Sequence, residues 1–180
     1  VWMTGATGGA DYLSASVNNV SASTFSFSSW IYYSGSNSGD DYLIYNTSNN
    51  GNGTAFNVHV DSAGLRCRLN FNQIGGTTKS NDFQWRYADF VADYADRWVH
   101  MTITYNSASA VDGMIVYFDA VSASWTGVGN PSGISYNAQV NSIDGIHFLQ
   151  NPTLAATNWQ GGIDEAMWWN RELTSGEATK

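Results

Sequence analysis

Gly161-Gly162-Ile163-Asp164-Glu165-Ala166-Met167-Trp168-Trp169-Asn170-Arg171-Glu172-Leu173-Thr174-Ser175-Gly176-Glu177 decides how the chain is read. Residues 163–169 read as an apolar, aromatic strand, and residues 173–177 as the start of a short turn after it. Period-two alternation recurs upstream, in residues 12–16, 25–33, 42–46, 55–61, 65–72, 98–105, 114–119 and 143–149, and helical spacing almost nowhere. In the second of these, Phe25, Phe27 and Ile31 fall on one face and Ser26, Ser28, Trp30 and Tyr32 on the other. Turn chemistry separates the strands. Residues 34–40 and 48–53 are clusters of Gly, Ser, Asn and Asp, and Asp61-Ser62-Ala63-Gly64 reads as a hairpin. No repeat or linker divides the chain, so residues 1–180 are read as one domain.

The closing stretch resembles the last strand and turn of laminin-G-like (concanavalin A-like) jelly-roll domains. There a glycine, an Ile-Asp-Glu triplet, an apolar strand and Asn-Arg-x-Leu-Ser/Thr-x-x-Glu follow in this order. Arg97-Trp98-Val99-His100-Met101-Thr102-Ile103-Thr104-Tyr105 is similar to the family's Trp-x-His-x-x-x-Thr-Tyr strand. Met114-Ile115-Val116-Tyr117-Phe118-Asp119-Ala120 is similar to the next, which usually ends in Asp-Gly. Gly9-Ala10-Asp11-Tyr12-Leu13 and residues 25–31 match more loosely. The resemblance implies an all-β jelly-roll β-sandwich of two antiparallel sheets. Since family members often continue with one more strand, it also implies a module of a longer protein.

Composition narrows the partners. Only 12% of residues are charged, and the net charge is −8. Polarity comes from Ser, Thr, Asn and Gly, which hydrate a surface without a strong field. Lysine occurs only at Lys79 and Lys180, so no basic stripe exists to attract a phosphate backbone, and nucleic acid is a poor partner. No apolar run approaches the roughly 18 residues of a membrane helix. The lone Cys67 excludes an internal disulfide and reads as a small buried residue.

Catalytic chemistry finds little support. Glycoside hydrolysis uses two carboxylates across the scissile bond, and concanavalin A-like glucanases carry them as Glu-x-Asp-x-x-Glu, a motif missing here. The glutamates are Glu165, Glu172 and Glu177, all in the closing segment. His59, His100 and His147 sit within alternating strands, and no Gly-x-Ser-x-Gly elbow or zinc-type spacing accompanies them. Calcium is the cofactor the resemblance implies. Asp164 matches the aspartate of the family's closing triplet, which in some members faces an ion near the first strand. Asp11, Asp40 and Asp41 are further candidate ligands, since calcium gathers hard oxygens from loops.

Aromatic residues make up 14% of the chain. Trp30, Trp98, Trp168 and Phe118 lie in strands and are read as core. Trp85, Tyr87, Trp125 and Trp159 are read as loop residues and as candidate platforms for a sugar ring, which has an apolar face and a polar rim. The expectation is a non-catalytic module that recognises a carbohydrate or cell-surface glycan, at an extracellular or virion surface. A structural module projecting from an assembly such as a phage fibre or capsid, packed against neighbouring subunits, is the alternative. A glycoside hydrolase is third.

Overall fold

Strand β3 (Thr24–Tyr33) shows how alternation builds a two-layer fold. Phe25, Phe27, Ile31 and Tyr33 are buried in one core, whereas Trp30 on the opposite face is 38% exposed. The computed structural model describes residues 2–3, 13–20, 24–35, 40–48, 56–62, 64–71, 81–106, 113–123, 126–128, 143–149 and 159–179.

Two antiparallel sheets result. The six-stranded sheet joins β3 to β1 (Trp2–Met3), β8 (Trp98–Asn106), β9 (Met114–Phe118), β10 (Val121–Ser122) and β13 (Gly161–Trp169), in the order β1-β13-β3-β8-β9-β10. The seven-stranded sheet holds β2 (Leu13–Val20), β4 (Asp41–Ser48), β5 (Phe56–Asp61), β6 (Gly64–Phe71), β7 (Asn81–Tyr87), β11 (Thr126–Val128) and β12 (Ile143–Phe148). Its order is β11-β7-β6-β5-β4-β12-β2. Large apolar side chains of β3, β8 and β9 meet those of β4, β5 and β6 between the layers. The fold is the all-β sandwich expected, and its helices α1 (Phe90–Tyr94) and α2 (Ser175–Ala178) are short. Among the described residues no helix is long and apolar enough to cross a membrane.

Two hairpins follow from local chemistry. Asp61 pairs with Gly64 across the turn read from the sequence, with Gly64 at φ 108°. Val121 pairs with Phe118, so Asp119 and Ala120 form a two-residue turn with φ of 48° and 67°, values that disfavour alanine where the family usually has glycine.

Three readings are corrected. Trp85 and Tyr87 lie on β7, where Trp85 pairs with Cys67, and not in a loop. Trp30 and Trp98 are 38% and 42% exposed on the outer face of the six-stranded sheet, and not core. Trp159, read as a loop platform, is wholly buried. Trp125 and Asp11 lie outside the described residues.

Candidate functional site

The closing motif is a fastener. After β13 the chain turns back over the outer face of β3, where the Ser26 hydroxyl donates to the Arg171 carbonyl and accepts the Leu173 N–H, both at 2.9 Å. Leu173 and Ala178 pack with Tyr117, Ile115 and Trp169 in a second apolar cluster. Asn106 donates to Glu172 at 2.8 Å. Thr174 and Glu177 form a capping box around α2, and the Arg171 guanidinium donates to both Glu177 oxygens at 2.8 Å. Each polar member of Asn-Arg-x-Leu-Thr-x-x-Glu is thus explained by geometry except Asn170, for which the structure gives no partner.

This fastening sets a pH response. Hydrogen bonds from Arg171 first, then from Thr174, lower the Glu177 pKa from its usual 4.5 to about 2. A depressed folded-state pKa means that the contribution is present above pH 4.5 and is lost as pH falls toward 2. The expected result is a Glu177 carboxyl titration in NMR with its midpoint near 2, rising when Arg171→Gln removes the donor. An ordinary midpoint in the unaltered chain would show that the fastener does not form.

The fastener also walls a groove of about 610 Å³ on the outer face of the six-stranded sheet. Its floor comes from paired residues of β3 and β8: Ser28 opposite Thr102, and Trp30 opposite His100 with ring centroids 5.2 Å apart. On one side stand Glu165, Met167 and Trp169 of β13. A bulge between Asp164 and Met167, with Glu165 at φ 49°, adds the residue that returns Met167 to the outer face. Arg171, Leu173 and Glu177 line it from the fastener, and Asp119 and Ala120 from the β9–β10 turn. Asp119 is itself held: its Oδ1 accepts the His100 N–H at 3.0 Å and its Oδ2 the Arg97 guanidinium at 2.8 Å. Beyond Trp30, Tyr32 and Trp98 continue the aromatic row, with centroids 5.8 Å apart.

The candidate residues from the sequence are dispersed. Tyr87 donates its hydroxyl to Asp93 and packs against Tyr94 and Phe118, which is a structural setting. Trp159 donates its indole N–H to the Tyr32 carbonyl at 2.8 Å inside the core. Asp164 is exposed, its Oδ1 accepting the Glu165 N–H at 3.0 Å. Asp41 is buried, and its carboxylate accepts the Tyr33 hydroxyl at 2.7 Å. Burial raises the Asp41 pKa, opposed by the hydrogen bond from Tyr33. Asp40 immediately precedes Asp41 at the start of β4 in the seven-stranded sheet, where Asp40, His59 and Asp61 bring potential ligand atoms within 4.8 Å of one another. They are the only such group among the described residues. Sequence reading missed Trp30 as a groove residue, although its alternation with Ser28 and Tyr32 was the signal.

A family model for the concanavalin A-like lectin/glucanases superfamily matches residues 7–179. The chain belongs to that superfamily. Among solved structures, the superfamily fold is shared with the binding domain of botulinum neurotoxin serotype D, at a TM-score of 0.70 and 15% identity over 99% of this chain and 40% of that one. The binding domain of botulinum neurotoxin DC in complex with SialylT matches at 0.54 and 20%, over 93% and 38%. Trypanosoma rangeli sialidase matches at 0.56 and 15%, over 87% and 22%. This chain therefore spans less than half of each of these three. At such identities the likeness is one of fold, on which a superfamily hosts many sites. No curated protein matches the sequence.

Proposed function

We propose that this domain is a non-catalytic carbohydrate-binding module, acting at an extracellular or virion surface, with its ligand in the groove over β3 and β8. The observation that carries the reading is Trp30, an indole 38% exposed on a groove floor, with the exposed polar side chains of Glu165, Arg171 and Glu177 along the groove lining. A sugar ring stacks its apolar face on such an indole while its hydroxyls meet the polar rim. A solved complex of a toxin binding domain with SialylT, on the same fold, supports it.

Hydrolysis fits less well. A general acid keeps its proton at neutral pH through burial, and the groove carboxylates Asp119, Glu165 and Glu177 are all exposed. Asp119 and Glu177 are also engaged in ion pairs.

A glycan array run with and without calcium, followed by calorimetry on the bound sugar, tests the proposal. Trp30→Ala is expected to weaken binding by about 1–2 kcal/mol, roughly five- to thirtyfold, with the circular dichroism spectrum unchanged. A chain that binds no glycan yet self-associates until Trp30 and Trp98 are replaced would instead be the projecting structural module.

A further inference from the structure

We propose that Asp40, His59 and Asp61 bind a divalent transition cation of the zinc class on the outer face of the seven-stranded sheet. This site is separate from the groove and does not depend on its reading. Two features of the chain bring the residues together. His59 and Asp61 alternate on β5 with Val58 and Val60, which face the core. Asp41 pairs with Val60, so the antiparallel register sets Asp40 beside Asp61.

The surroundings of His59 are those of a built site and differ from a solvated acidic patch. His59 is 3% exposed, Asn57 2% and Asp61 9%, although all three point away from the core. The imidazole is fixed on two sides: it stacks on Tyr42 at 5.0 Å and 27°, and its Nδ1 lies 3.0 Å from the Asn57 amide oxygen. That oxygen only accepts, so Nδ1 carries the proton and the lone pair resides on Nε2. Outer partners orient metal-binding imidazoles in this way. Arg66 holds the Asp61 carboxylate through Oδ2 at 2.7 Å.

The donor set selects the ion. Calcium takes six to eight oxygen ligands, whereas one imidazole and two carboxylates suit zinc and its neighbours, with a position left open. Bonds of about 2.1 Å place the ligand atoms of a tetrahedral zinc site ~3.4 Å apart. The separations here, up to 4.8 Å, therefore require a small inward movement. Asp40 can supply it, being exposed and just before β4.

Calorimetric titration of the tag-free chain with Zn²⁺, and in parallel with Ca²⁺, tests the site. The visible spectrum of the Co²⁺ form gives a second readout. One equivalent of Zn²⁺ is expected to bind and to raise the melting temperature with its concentration. Co²⁺ should show ligand-field bands without thiolate charge transfer, because the single cysteine, Cys67, is fully buried. His59→Gln and Asp40→Asn should each weaken Zn²⁺ binding by roughly 100-fold. Asp40 is exposed, so its variant reports on the metal even if the buried His59 change lowers stability. Failure to bind one equivalent of Zn²⁺, unchanged affinity in Asp40→Asn, or tighter binding of Ca²⁺ than of Zn²⁺ at these residues would overturn the proposal.

Discussion

Trp159→Ala is expected to remove about 4 kcal/mol of folding stability, the cost of emptying a buried tryptophan site. The indole is wholly buried, with its centroid 4.7 Å from Tyr33 and 6.4 Å from Phe90. Its backbone N–H is bound as well, to the Leu149 carbonyl at 2.9 Å, so the site cannot collapse by letting the chain drift inward. The side-chain N–H satisfies the Tyr32 carbonyl. Trp159→Phe separates the two contributions: it keeps most of the apolar contact and loses the hydrogen bond, for about 1–2 kcal/mol. Urea unfolding midpoints measure both. A midpoint unchanged in Trp159→Ala would place the ring outside the core and restore it as a ligand platform. Trp159→Phe should also bind glycan normally, since Trp159 does not line the groove.

The sequence errors over Trp30 and Trp98 share one cause. Alternation reports which residues share a face of a strand, and it placed Phe25, Phe27 and Ile31 together, as the core confirms. It does not say how much of the opposite face is covered. On β3 that face is buried at Ser26 and Ser28, beneath or beside the closing segment, and open at Trp30. Only the path of residues 170–179 decides this. Trp159 fails for the reverse reason. Its neighbours Asn158 and Gln160 look like a loop, and the partner that makes it core, Tyr32, is 127 residues away in sequence. The Asp40, His59 and Asp61 group was half legible. Period two places His59 and Asp61 on one face, but Asp40 joins them through the pairing register of β4 with β5, which local patterning leaves open.

Gly161→Ala tests pairing register directly, on the closing strand. Gly161 has φ 155° and pairs with Tyr33. A Cβ added there would lie 1.9 Å from the Tyr32 carbonyl oxygen and 3.1 Å from Trp159 Nε1. The first contact is with backbone, so no rotamer change relieves it, and β13 must move away from β3. That shift would disturb the ladder and the carbonyl that receives the Trp159 N–H. We expect a loss of about 3 kcal/mol or more, from an unfavourable backbone conformation combined with overpacking. The same substitution at Gly176 is the control. That residue lies in α2, and a methyl group added to it would meet nothing within 4 Å, so Gly176→Ala should raise stability by about 0.5–1 kcal/mol. Chemical denaturation of the two variants should therefore move the midpoint in opposite directions. Similar shifts in both would mean that β13 does not approach Tyr32 in this register, and that the Gly-Gly opening of the closing motif has some role other than close packing.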